Sequence, residues 1–339
     1  MQKELARPPS PWHDLAAHLP GDLEFAFRTA IASLIALYAA MWMQLDTPRW
    51  AAWTVLTVSL PLPERAFSKA WHRMVGTLIG AVVGVMFAAL FAQAPLEFIT
   101  AMALWAALCV YVGTRARGYQ TYATALTWLT TAIVAMGSLA DPNAVLMVAL
   151  TRTAEVTLGV VAAALAAALV TGHKVQDLPE ELSPVPGQAR RNALRAAIAV
   201  GIAGLFWYVS EWQNGPDFII WAGVSSTLFA AHPSKLSATL GMLRGILFGT
   251  MLGIAVHFLL LTTSADFLTL ALILLPFLML GGIGVADIRT MGPATGYNLA
   301  FITAADPARR MVFNLAATLN TSLAMVLGLL FSVACFLAI

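Results

Sequence analysis

Long apolar blocks with almost no charge inside them set the terms for what this chain can become. They run at about residues 24–44, 50–62, 74–92, 96–113, 120–138 and 146–171, and again at about 193–210, 218–231, 240–261, 267–286, 293–305 and 311–338. Within them the apolar residues are continuous, without the one-face spacing that leaves a soluble helix a polar side. Of all residues 60% are hydrophobic and 11% charged, against roughly a quarter charged in a soluble domain. In hydrocarbon every backbone polar group must be satisfied within its own segment, so blocks of this kind are helices. The expectation is an all-α integral membrane protein of about twelve transmembrane or re-entrant helices, some short or broken.

The blocks divide six and six, and the two sets share landmarks. Arg28 opens one set and Arg195 the other. Pro48 and Trp53 match Pro216 and Trp221. Gly76, Gly80 and Gly84 match Gly245, Gly249 and Gly253, and Ala140-Asp141-Pro142 recurs as Ala305-Asp306-Pro307. The expected organisation is a cytoplasmic segment 1–22, a first membrane repeat 23–172, a cytoplasmic linker 173–189 and a second membrane repeat 190–339. An even number of spans per repeat makes the halves parallel, about an axis along the membrane normal. With the N-terminus inside, fifteen Lys and Arg residues fall on the cytoplasmic side and only Arg49, Arg152, Arg309 and Arg310 outside. That is the positive-inside asymmetry, with both termini cytoplasmic. Residues 1–22 carry no cleavable signal pattern, so the first span is expected to act as the targeting signal. Trp12–Leu19 is a candidate interfacial helix.

The stretch Thr47–Gly84 is the most informative. A proline start beside Arg49 and Trp50 leads into an apolar run of about a dozen residues that stops at Pro61 and Pro63. That is short of the ~20 residues a spanning helix needs, and a short proline-bounded span beside a charge is the local form of a broken transporter helix. A basic patch follows, then a helix whose glycines recur on one face, which lets a second helix approach closely.

LDTPRWAAWTVLTV, PERAFSKAWHRMVGTLIGAVVG and TRTAEVTLG in the first half, with FWYVSEW, LFAAHPSK and MLRGILFGTMLG in the second, resemble the fusaric-acid-resistance (FUSC) family of aromatic carboxylic acid efflux pumps. The resemblance covers nearly all of residues 22–338. It implies a bacterial inner-membrane exporter of aromatic or other organic acid anions and, for some members, a periplasmic adaptor protein as partner. Longer members carry a sizeable soluble domain between or after the membrane halves; here only His173–Ala189 joins the two.

Charges inside apolar blocks are costly and mark candidate sites. Arg152 and Glu155 stand three residues apart, on one helix face, as an anion-attracting guanidinium beside a protonatable carboxyl or as a structural ion pair. Arg49 and Asp217 flank the short spans, whose helix N-termini favour anions. Trp50, Trp53, Phe218 and Trp221 offer ring faces for an aromatic carboxylate, or serve as interfacial anchors. Tyr119 and Tyr122, and Tyr297 with Asn298, sit in corresponding blocks and could bond a ligand or pin helices. Arg65, Lys69 and Arg73 suit a cytoplasmic anion funnel or contact with lipid headgroups. Cys109 and Cys335 read as buried hydrophobes. The chain has no P-loop, H-E-x-x-H, G-x-S-x-G or C-x-x-C pattern, so no enzyme activity, cofactor or metal is expected. Nothing suggests nucleic acid, and the glycine faces leave a homo-oligomer open. The leading reading is an exporter of organic acid anions linked to the proton motive force. A passive anion channel of the same fold is one rival, and a non-transporting membrane scaffold or assembly protein the other.

Overall fold

The computed structural model describes residues 11–91, 93–139, 141–169, 187–229, 232 and 234–338, with side chains from residue 21 onward. Twelve α-helices account for most of them, and each falls on one of the apolar blocks. They are α1 Pro11–Trp42, α2 Arg49–Val58, α3 Pro63–Phe91, α4 Pro95–Arg115, α5 Tyr119–Gly137 and α6 Val145–Ala168, then α7 Gln188–Ser210, α8 Gly215–Leu228, α9 Lys235–Ala255, α10 Phe267–Ala286, α11 Met291–Ala305 and α12 Leu315–Ala338. No strand occurs among the described residues. The side chains of Trp12–Leu19, and residues 173–186 of the expected linker, lie outside the described part.

Eight helices are long and apolar enough to cross a membrane: α1 from Gly21, α3, α4, α6, α7, α9 with the turns that follow it, α10 and α12. Of the other four, α2, α8 and α11 are short, with 10, 14 and 15 residues, and α5 has 19 but is rich in threonine. Burial separates these four from every long helix but α1. Every residue from Ala51 to Val58 is buried in α2, and Leu299 to Ile302 are buried in α11. The long helices turn Leu78, Val82 and Met86, or Leu104 and Leu108, outward. Helices α2, α5, α8 and α11 are thus the interior, with much of α1, and the remaining long helices the lipid-facing wall of an integral membrane protein.

Prolines set the ends of the first short helix. Pro48 takes a helical φ of −58° at its start, and the donor it lacks is one the first turn would leave unsatisfied anyway. At the other end Ser59 is extended, and Leu60 and Leu62 each precede a proline, which disfavours helical backbone there. Helix α3 then begins at Pro63 itself, eleven residues before the block at 74–92. No breaker separates Glu64 from Met74, so Arg65, Lys69 and Arg73 are helix residues and not a loop patch.

Glycine determines the closest helix contacts. A Cβ on Gly76 would stand 2.5 Å from the Ala123 carbonyl oxygen, and one on Gly80 2.5 Å from that of Thr127, so α3 lies backbone to backbone on α5. Gly249 and Gly253 do the same for α9 on α11, at 2.5 Å from Tyr297 O and 2.7 Å from Phe301 O. These glycine faces pack inside the chain. Helix α3 also meets α6, and α9 meets α12; α2 packs on α6, and α8 on α12. Contacts that join the two parts of the sequence include α1 with α10, α7 with α4, α2 with α11, and α8 with both α5 and α4.

A candidate anion site along the short helix α2

The starting end of α2 is closed by a carboxylate from another helix. Glu155 of α6 is fully buried, and its Oε1 accepts hydrogen bonds from the Thr47 backbone N–H at 2.9 Å and the Thr47 hydroxyl at 2.7 Å. An anion is favoured at the N-terminal end of a helix, and here the chain supplies its own. Helix α6 comes this close because Gly159 lies against Thr54 and the Ala51 carbonyl. One turn earlier, Arg152 is 3% exposed, and its Nη1 stands 3.9 Å from Glu155 Oε2.

From there cations and rings alternate along α2. The Arg152 guanidinium lies 3.7 Å from the centre of the Trp50 ring, a cation–π contact strengthened by the absence of water. Trp50 meets Trp53 edge to face at 5.0 Å. Arg73 of α3 covers Trp53 at 4.5 Å, and its Nη1 donates to the Thr57 hydroxyl at 3.1 Å and the Tyr122 hydroxyl at 2.9 Å. Lys69, one turn before Arg73, stands 5.3 Å over the Tyr122 ring. Arg73 is 1% exposed, so it lies in the interior and not on a headgroup-facing surface. Arg65 is half-buried near the start of α3.

Arg49, the first residue of α2, pairs with Asp306, the left-handed residue (φ 40°) that ends α11. This ion pair bridges positions 257 residues apart. Next to it, His257 is buried in the π-helical turn after α9, with Nδ1 2.7 Å from Ala305 O and Nε2 3.3 Å from Val312 O.

The corresponding corner around α8 is built on amides and one carboxylate, Asp217. The Trp212 indole donates to Asn320 Oδ1 at 3.1 Å, Asn320 donates to Asn214 at 2.7 Å, and Asn214 donates to Asp217 at 3.0 Å and Thr321 at 3.1 Å. Asp217 is therefore held within its own turn. Phe218 lines an apolar cleft of about 460 Å³ with Phe206, Trp212 and Phe331. Trp221 packs on Gly328. Tyr297 stacks on Phe301 and donates to the Phe277 carbonyl at 3.0 Å, whereas the buried Asn298 amide has no hydrogen-bond partner. Tyr119 packs near Leu60 and lies 6.3 Å from the His72 ring.

Of the residues singled out from sequence, Arg49, Trp50, Trp53, Arg152, Glu155, Lys69, Arg73 and Tyr122 thus form one train around α2; Asp217, Phe218, Trp221, Tyr297, Asn298 and Tyr119 lie apart from it. Thr47, Thr57 and Asp306 join the train without having been singled out as site residues. A signal for Arg73 was present: it shares a helix face with Gly76, Gly80 and Gly84, the face that α3 buries. No group of His, Cys, Asp and Glu able to hold a metal occurs among the described residues, and both cysteines are buried thiols.

A polytopic all-α membrane protein with a buried, cation-rich and indole-lined interior is the class this architecture defines. The chain belongs to the fusaric acid resistance protein family, FUSC, whose family model matches it twice in succession, at residues 22–180 and 180–339. Over 144 residues it is 34% identical to an uncharacterised transporter of Gluconobacter oxydans, covering 40% of this chain and 19% of that protein. Over 166 residues it is 30% identical to the p-hydroxybenzoic acid efflux pump subunit AaeB of Edwardsiella ictaluri, covering 45% and 25%. The AaeB subunit of Yersinia pestis is 29% identical over 163 residues, with the same coverage. The matched part of the chain spans only about a fifth to a quarter of these relatives' length. No solved structure matches the chain.

Proposed function

We propose that this chain exports aromatic or related organic acid anions across the bacterial inner membrane, driven by the proton motive force. The observation that carries this reading is the charge balance around α2, where four cations, Arg49, Lys69, Arg73 and Arg152, meet two carboxylates, Glu155 and Asp306. Positive charge is left over in an interior lined by indole and phenol rings, and an organic anion offsets it without any residue changing protonation. With the cell interior negative, an anion moving outward gains about 2.3 kcal/mol per 100 mV. The electrical part of the proton motive force is then sufficient to drive export. Family membership supports the same substrate class, as does the name of the Edwardsiella and Yersinia relatives. Their designation as pump subunits supports a partner protein such as a periplasmic adaptor.

On this reading the helices form two parallel six-helix repeats, 23–172 and 190–339, joined by a cytoplasmic linker at 173–189, with both termini cytoplasmic. The two successive family matches and the recurrence of the larger packing pairs between the halves support that arrangement. The anion then passes between the halves, along α2 and α11. A passive channel of the same fold is the second reading. It is favoured by the way Thr47 pins Glu155, as befits a structural carboxylate rather than one that exchanges protons.

Flux of labelled p-hydroxybenzoate in proteoliposomes, with potential and pH gradient imposed separately, tests the proposal. An exporter gives flux that follows the potential and saturates with substrate; a channel gives flux that rises in proportion to concentration. A response to the pH gradient that Glu155→Gln removes would assign proton exchange to Glu155. No flux of any aromatic carboxylate from folded protein would overturn the proposal.

A further inference from the structure

Arg73 is a buried cation that no described carboxylate neutralises. Among the described residues no carboxylate lies within salt-bridge reach of it, whereas Arg49 has Asp306 and Arg152 has Glu155. Both of its hydrogen bonds run from Nη1, to the neutral hydroxyls of Thr57 and Tyr122, and its Nε–H has no acceptor. The Trp53 indole N–H beneath it has none either. Two stacked N–H donors, one on a full positive charge, are thus left without an acceptor in an interior where each unmet donor is destabilising. A carboxylate supplies two acceptor oxygens and the missing negative charge, and it is the geometry a guanidinium edge is shaped to bind.

Building on the organic-anion reading above, we propose that the substrate's carboxylate is seated at Arg73 and Trp53, at the inner end of the train, and not at the Arg152–Glu155 pair. Arg152 already has a carboxylate beside it and its ring contact to Trp50, so a second anion there meets Glu155. Tyr122 holds the Arg73 guanidinium in place through Nη1 and leaves the Nε edge for the ligand. Lys69, at 5.3 Å over the Tyr122 ring, is the next cation toward the start of α3.

Equilibrium binding of radiolabelled benzoate to the full chain in nanodiscs tests the seat, with flux of benzoate measured on the same preparations. Wild-type protein is expected to bind benzoate saturably. Arg73→Gln should weaken benzoate at least tenfold, and Trp53→Phe, which keeps a ring and loses the N–H, several-fold. Arg152→Gln should weaken it less than Arg73→Gln does. If Arg73→Gln does not fold, Trp53→Phe carries the comparison. Unchanged affinity in the Arg73 and Trp53 variants, or a larger loss in Arg152→Gln, with flux intact in wild type, overturns the seat and leaves the transport reading standing. Wild-type protein that neither binds nor moves benzoate overturns the transport reading, and the seat with it.

Discussion

Arg152 and Glu155 show how much depends on which partner of a buried pair is removed. Taking one away leaves the other charge in the interior, which costs about 3–5 kcal/mol, whereas replacing both with apolar residues of similar volume is often neutral. Arg152→Met and Glu155→Leu are therefore each expected to lower the chain's stability strongly. The double variant should recover most of the loss yet transport no organic anion. Thermal unfolding in detergent, read beside proteoliposome flux, checks both halves of that expectation. If the double variant is no more stable than either single one, the two residues do not act as a pair. This pair was legible in the sequence, because three residues along a helix is a local spacing. Its tie to Thr47 was not, since that bond joins positions 108 residues apart.

At the scale of the helix, α3 on α5 and α9 on α11 depend on the absence of a side chain. In lipid no hydrophobic force draws apolar helices together, so close packing and backbone approach have to do it. Val at Gly80 or Gly249 would drive carbons into a facing backbone carbonyl that already lies 2.5 Å from a single Cβ. Overpacking typically costs about 1–3 kcal/mol, and backbone is the least yielding neighbour, so these variants should fall at or above that range. Gly292→Ala serves as the control, because nothing lies within 4 Å of its added carbon. Amounts of folded protein in the membrane, compared by size exclusion after extraction, separate the two. A Gly249→Val variant as stable as wild type would mean that α9 does not need to lie so near α11. The spacing of these glycines was readable from sequence; the helix each one meets was not.

For the molecule as a whole, the Arg49–Asp306 pair is the charged link between α2 and α11, which come from opposite halves of the sequence. Both side chains are partly exposed, so the pair adds little to stability, and its position suits it to govern movement of one half against the other. Asp306→Arg is expected to repel Arg49 and lower organic-anion flux at unchanged protein level. Combining it with Arg49→Asp should restore much of the flux by re-forming the pair in reverse. Rates in which the double variant is as impaired as Asp306→Arg alone would show that the charges act separately.

By itself the sequence determined that this is an all-α membrane protein, that it has about twelve helices, that the proline-started spans beside Arg49 and Asp217 are short, and which faces carry glycine. Those are properties of one segment at a time: hydrocarbon admits only internally bonded backbone, proline ends a helix, and glycine marks its own face. Tertiary structure alone decided that Arg73 lies buried over Trp53 with no carboxylate in reach among the described residues, that Glu155 closes the start of α2, and that Asp306 answers Arg49. The physical reason is that the surroundings of a buried charge depend on which helices face one another. In a chain whose helices are nearly all apolar, the local pattern carries almost no information about that choice.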